Sequence, residues 1–146
     1  MDRKEFIKVC SGTCLGLIGI SLLNQSCTAT HYVQSTVSNN NLSVAKTEFT
    51  ITKKGQTDFR KYIIVKSETL EFPIVVYRLS ANSYQAMLMR CSHQGIELSV
   101  NGDILSCSAH GSEFSKQGAV IQGPADQPLK SFSVTEDENN IYIKLS

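Results

Sequence analysis

Arg90-Cys91-Ser92-His93-Gln94-Gly95 and Cys107-Ser108-Ala109-His110-Gly111-Ser112 are the stretches that decide the reading, with thirteen residues between His93 and Cys107 and with Gly123-Pro124 following. Each stretch offers one cysteine and one histidine. The link between them contains Asn101-Gly102, the strongest short-range hairpin signal, because both residues tolerate the positive φ of a type I′ turn. A hairpin turned there, with strands Ile96–Val100 and Asp103–Ser106, carries Cys91/His93 and Cys107/His110 to neighbouring loops at one end. Period-two alternation places Ile96, Leu98 and Val100 on one face of that hairpin. Two thiolates and two imidazoles converging on one place suit a tetrahedral zinc or an iron–sulfur centre.

The spacing C-x-H…C-x-x-H, with one ligand of each kind per loop, resembles the Rieske family. In that family two histidines replace two cysteines on one iron of a 2Fe-2S cluster. His110-Gly111-Ser112 and Gly123-Pro124 are similar to the family's second cluster loop and covering proline loop, and the resemblance runs from Tyr84 to Leu129. It implies that Cys91 and Cys107 bind the inner iron and His93 and His110 the outer one. It also implies that the Ser112 hydroxyl bonds a bridging sulfur. The family usually places more residues between first histidine and second cysteine, so a trimmed hairpin is expected. Ile96 and Ala109 occupy the positions of the disulfide cysteines found in quinol-oxidising relatives, and Phe114 stands where many high-potential members have tyrosine. Fewer hydrogen bonds to the sulfurs imply a potential below the top of the family range of about −150 to +300 mV. Arg90 is expected to be a solvated charge, and Met87 and Met89 core residues.

With 146 residues and 41% hydrophobics the chain can hold one modest domain. Fourteen basic residues balance thirteen acidic ones, and no basic stripe suggests nucleic acid. Of five cysteines, Cys10, Cys14 and Cys27 precede the expected domain, and Cys91 and Cys107 are taken as ligands, leaving none for a structural disulfide.

The first 27 residues read as a signal or anchor. Basic charge at Arg3, Lys4 and Lys8 precedes a fifteen-residue apolar run, Val9 to Leu23. That run fits a signal core and falls short of the ~20 apolar residues a spanning helix needs. Arg3-Lys4-Glu5-Phe6-Ile7-Lys8 is similar to a weakened twin-arginine signal, and Leu22 to Cys27 resembles a bacterial lipoprotein cleavage site. An uncleaved anchor is the alternative; either way the domain is exported and tethered on the periplasmic side of a bacterial membrane. Residues 28–45, rich in Ser, Thr, Asn and Gln, are expected to form a flexible tether, with His31 a solvated residue in it.

Residues 46–146 are expected to fold as an all-β, Rieske-like antiparallel sandwich, with a small cluster-binding subdomain at about 90–125. Phe49–Thr52, Tyr62–Val65, Ile74–Arg78 and Gln85–Met89 are predicted strands. Leu129–Val134 and Ile141–Leu145 are predicted to form a closing hairpin around Asp137–Asn140. No substrate pocket, flavin or nicotinamide motif is evident, so the chain is not expected to be catalytic alone. The expected function is one-electron transfer by a single 2Fe-2S cluster in an exported, membrane-associated redox chain, with a cytochrome b or a c-type cytochrome as partner. Alternatives are an iron–sulfur subunit of a quinol-oxidising cytochrome b complex, meeting quinol at the His93/His110 edge, and a redox-silent zinc lipoprotein.

Overall fold

A computed structural model of the chain describes residues 29–146; the expected signal segment, with Cys10, Cys14 and Cys27, lies outside the described residues. Three short strands open the domain: β1 (Tyr32–Gln34), β2 (Val37–Ser38) and β3 (Asn41–Ala45). A 3-10 turn over Lys46–Phe49 leads to a hairpin of β4 (Thr50–Lys53) and β5 (Gln56–Phe59). Next come β6 (Tyr62–Lys66), β7 (Ile74–Ser80) and β8 (Ser83–Leu88). The inserted segment holds β9 (Ser99–Asn101), β10 (Ile104–Ser106), β11 (Glu113–Ser115) and β12 (Val120–Gln122). The chain closes with β13 (Ser131–Glu136) and β14 (Asn140–Lys144).

Eight strands form one curled sheet in the order β1-β6-β7-β8-β13-β14-β3-β2, and four form the small sheet β12-β11-β10-β9. The large sheet curls at β13, which changes partner midway: Ser131 and Phe132 pair with β8, and Ser133–Glu136 pair with β14. The fold is therefore the all-β sandwich with inserted subdomain that the strand pattern implied. The closing hairpin forms around Asp137, whose carboxylate accepts the backbone N–H groups of Asn139 and Asn140 and the Tyr142 hydroxyl.

Two cores share the central strands. Ile64, Val75, Tyr77 and Met87 face the inserted subdomain and pack with Leu98, Leu105, Phe114 and Leu129. Ile63, Val65, Ile74, Val76 and Ala86 face the other way, toward Leu42, Val44, Ile141 and Ile143. Burial on both faces explains why Tyr62–Val65 and Ile74–Tyr77 read as unbroken apolar runs. Met87 and Met89 are core residues, both buried on the subdomain side.

Three expectations need correction. Residues 29–45 do not hang free: β3 pairs with β14 over its whole length, and Val33, Leu42 and Val44 are buried. The averaged polar composition hid the alternation Leu42-Ser43-Val44, one strand face. Asn39 and Asn40, read as tether, have φ of 47° and 62° and form the two-residue turn between β2 and β3, the positive pair a type I′ turn requires. His31 is not a solvated linker residue; its Nε2 lies 2.6 Å from Glu48 Oε2, and its carbonyl accepts the Ile64 N–H.

The hairpin turn between the ligand loops is shifted by one residue. Asn101 pairs with Ile104, so Gly102 and Asp103 are the central residues, and of these only Gly102 has a positive φ, 61°. Glycine first is the pattern of a type II′ turn. Ile96 does not share the buried face of Leu98; it is 41% exposed, because the paired strand begins only at Ser99.

Leu42→Ala tests the folded state of residues 29–45. A fully buried leucine in a strand costs about 2–5 kcal/mol on truncation, read as a lower urea midpoint with unchanged slope; a tether residue would cost nothing.

Candidate metal centre

The two candidate ligand loops repeat one backbone pattern. In the first, the Cys91 N–H donates to the Ile96 carbonyl and the Gly95 N–H donates back to the Cys91 carbonyl, both at 2.8 Å. In the second, the Cys107 N–H donates to Ser112 O at 2.8 Å and the Gly111 N–H to Cys107 O at 3.0 Å. Each loop reverses on a glycine of positive φ, 69° at Gly95 and 77° at Gly111. A side chain at Gly95 would also strike the Arg90 guanidinium, 2.8 Å from where its Cβ would lie. Arg90 is exposed, as expected of a solvated charge, and its guanidinium also lies against the back of the first loop, 5.7 Å from the Phe72 ring centre.

The sulfur and nitrogen donors separate by depth. Cys91 and Cys107 are both free thiols, 2% and 3% exposed, in the core that contains Met89, Leu98, Leu105 and Phe114. His93 and His110 stand at the surface, with ring centres 5.1 Å apart and planes perpendicular. The structure therefore brings together all four residues picked from the sequence, as a buried sulfur pair and an exposed imidazole pair. Among the described residues, no three His, Cys, Asp or Glu side chains gather closely enough to hold a single ion.

Ser112 is the fifth residue singled out from the sequence, and it is completely buried between the loops and the segment over them. Its Oγ accepts the Ala125 N–H at 3.0 Å, and its hydroxyl lies near enough to Cys91 to favour the thiolate there. Burial pushes the Cys91 thiol up, but backbone N–H groups of His93 and Gln94 and side-chain bonds from Cys107 and Ser112 outweigh it, so its pKa lies below the ordinary thiol value.

Three further residues fix this geometry and escaped the sequence reading. Ser92 Oγ donates to the Gln127 carbonyl at 2.6 Å, and Gln122 Nε2 donates to the Gly111 carbonyl at 3.1 Å. With Ser112 to Ala125, these tie both loops to the segment around Pro124. Tyr77, on β7 of the large sheet, reaches across the core and donates its hydroxyl to Gly102 O at 3.0 Å. Burial holds that phenol far above its ordinary pKa, so it stays a donor. A tyrosine ending the apolar run Ile74-Val75-Val76 was the available signal, since a buried phenol needs a partner for its polar end.

The family described as "Rieske [2Fe-2S] domain" matches residues 38–133. The chain belongs to the Rieske family. Its cofactor is accordingly a 2Fe-2S cluster. Among curated proteins, the cytochrome b6-f complex iron-sulfur subunit of Chlorobaculum tepidum is 27% identical over 66 residues, covering 44% of this chain and 36% of that protein. A subunit of the same name from a Synechococcus strain is 36% identical over 53 residues, covering 35% of this chain and 31% of its own length. The chain spans about a third of the length of these Rieske relatives. Among solved structures, the plasma membrane Rieske protein PetC3 of Synechocystis superposes with a TM-score of 0.50 at 25% identity, covering 57% of this chain and 86% of that one. A naphthalene 1,2-dioxygenase, 24% identical with a TM-score of 0.50 over 58% of this chain and 22% of its own, shares the fold.

The depressed thiol gives a pH test on cluster-free protein. The Cys91 thiolate absorbance near 240 nm should develop below the ordinary thiol value of about 8.5, and Ser112→Ala should move it upward. Because the folded pKa is the lower one, ionisation adds stability that is fully present above the unfolded value and is lost as pH falls through the folded value.

Proposed function

We propose that this chain is a one-electron carrier whose 2Fe-2S cluster is held by Cys91 and Cys107 on the buried side and by His93 and His110 at the surface. The observation that carries the reading is the division of the four donors into a buried thiol pair and an exposed imidazole pair. A binuclear centre needs two such pairs set apart, one for each iron. The donor set therefore fits the family's cofactor.

When bound, the cluster supplies a centre that gains and loses single electrons. Everything else falls to the chain. Cys91 and Cys107 keep their thiolates dry beneath Leu98, Leu105 and Phe114. The N–H groups of His93 and Gln94 lower the cost of negative charge at Cys91 before any metal arrives. Ser112, anchored by Ala125, aims its hydroxyl at the same sulfur position. His93 and His110 face solvent, so the ring nitrogen of each that is left free of metal can exchange a proton with water or touch a partner.

Residues 1–27 serve as an export signal with Cys27 a candidate lipidation site, or as a retained anchor, and either way place the domain on the periplasmic side of a membrane. The basic start, the apolar run Val9 to Leu23 and the following cysteine support this reading. A cytochrome b or a c-type cytochrome is the redox partner. A second reading, an iron–sulfur subunit of a quinol-oxidising complex, is favoured by the curated relatives, which are named as cytochrome b6-f complex subunits.

Electron paramagnetic resonance of the reduced protein, with a redox titration across pH, tests the ligand set. Mixed sulfur and nitrogen ligation and a midpoint that falls with rising pH are expected. His93→Cys or His110→Cys should lower the midpoint and remove most of that slope; a retained slope would show that these imidazoles are not the ligands.

A further inference from the structure

We infer that the domain rests in a fixed orientation on anionic lipid headgroups, on the face where residues 29–31 enter it, with the His93/His110 edge turned away from the bilayer. The inference builds on the membrane-tethered carrier reading above, with a c-type cytochrome as partner and not the quinol-oxidising alternative, and concerns where the tethered domain sits.

A groove of about 550 Å³ opens at that face, lined by Ala29, Thr30 and His31 as well as by Arg60, Lys61 and Gly102. Three cations border it, Lys53, Arg60 and Lys61, with Arg78 over the lining Phe59 ring. The carboxylates there are Asp58 in the lining, Glu48 at the lining His31 and Asp103 beside Lys61. Arg60 holds its side chain in place by donating to the carbonyls of Glu48 and Thr50. Lys53 is exposed at the end of β4, and the Lys61 side chain is 74% exposed with Asp103 no nearer than 3.8 Å. Phe59 also lines the groove, 46% exposed, with the Arg78 guanidinium 4.1 Å from its ring centre. Exposed cations beside an exposed aromatic ring match the chemistry of a phosphate headgroup layer above acyl chains. Each cation brought to such a surface contributes roughly a fivefold preference for an anionic over a neutral membrane at physiological salt.

Chain length then restricts the orientation, most tightly where the anchor is at Cys27. The apolar run ends at Leu23, six residues before Ala29, a reach of at most ~20 Å. From Cys27 the reach to Ala29 is only ~7 Å. The same groove contains Val100, Asn101 and Gly102, the turn end of the ligand hairpin. From Gly102 to Cys107 the hairpin runs five residues, roughly 17 Å of extended strand. The ligand loops thus lie at the far end of the hairpin from the anchor, beyond what a lipid at Cys27 would let the domain turn over.

The test uses the full chain in detergent and in vesicles of phosphatidylcholine, alone or mixed equally with phosphatidylglycerol. A water-soluble amine-reactive ester and hydroxyl radicals report exposure, read by peptide mass spectrometry. In the anionic vesicles Lys53 and Lys61 should label several-fold more slowly than in detergent, while Lys130 and Lys144 keep their rates and Ile121 and Pro124 oxidise as in detergent. Vesicles that float without the protein would overturn the membrane tether itself. Co-flotation with Lys53 and Lys61 labelled at the detergent rate would leave the tether standing and overturn the orientation. Protection of Ile121 and Pro124 in place of the lysines would mean the opposite orientation. Lysine protection in detergent that grows with protein concentration would make a second copy the occupant, and would overturn the lipid assignment.

Discussion

Two soft, ionisable thiols have to be buried while two imidazoles a few residues away stay at the surface, and backbone hydrogen bonding makes this possible. Inside each loop the cysteine N–H and C=O are satisfied locally, by residues five and four positions on. No strand partner is needed, so burying the cysteine leaves no orphaned backbone group. The glycine at the fourth position turns the chain back, and the residues between cysteine and glycine are lifted to the surface. Those residues include His93 in one loop and His110 in the other. In the first loop the reversal also aims the N–H groups of His93 and Gln94 at the Cys91 sulfur, so the fold itself favours the thiolate.

The subdomain that carries the loops does not stand alone. Its core side chains, Leu98, Leu105 and Phe114, pack against Ile64, Val75 and Met87 of the large sheet, which form the other half of one hydrophobic cluster. A piece of roughly forty residues rarely buries enough apolar surface to fold without a metal, a disulfide or a partner surface. The large sheet is that surface here. Tyr77 adds a polar tie, from the same sheet to the hairpin turn. Gly118 marks how close the contact is: with φ of 86° it sits where a Cβ would lie 2.9 Å from the buried Met87 sulfur.

The parts legible in the sequence were those with a strong local signature. The candidate ligands stood out because two uncommon residue types, cysteine and histidine, recur at fixed spacing, and the central strands because Tyr62–Val65 and Ile74–Tyr77 are too apolar to be anything exposed. Boundaries and turn types depended on single dihedral angles. Asn101-Gly102 looked like a type I′ turn, yet only the glycine is left-handed; Asn39-Asn40 looked like linker, yet both are. Residues 32–45 were lost because each strand is short and its inward positions are few, Val33 in one and Leu42 and Val44 in another. Their burial is supplied by β14 and β6, distant in sequence, and no local window holds that information. Ser92 and Gln122 were unreadable for the same reason, since their partners at Gln127 and Gly111 become neighbours only once the loops have closed.

Folding of residues 32–45 alters the functional argument as well as the fold. A polar tether of eighteen residues would span up to ~60 Å and leave the position of the histidine edge to diffusion. With β1 paired to β6 and β3 to β14, that length is withdrawn into the sheet. The separation between residue 32 and the His93/His110 edge is then set by strands and the ligand hairpin. Under the anchoring proposed above, a carrier held this way favours partners whose redox centre stands at one height above the anchor. A long tether over residues 28–45 would serve partners at many heights, and residues 32–45 instead lie in the sheet.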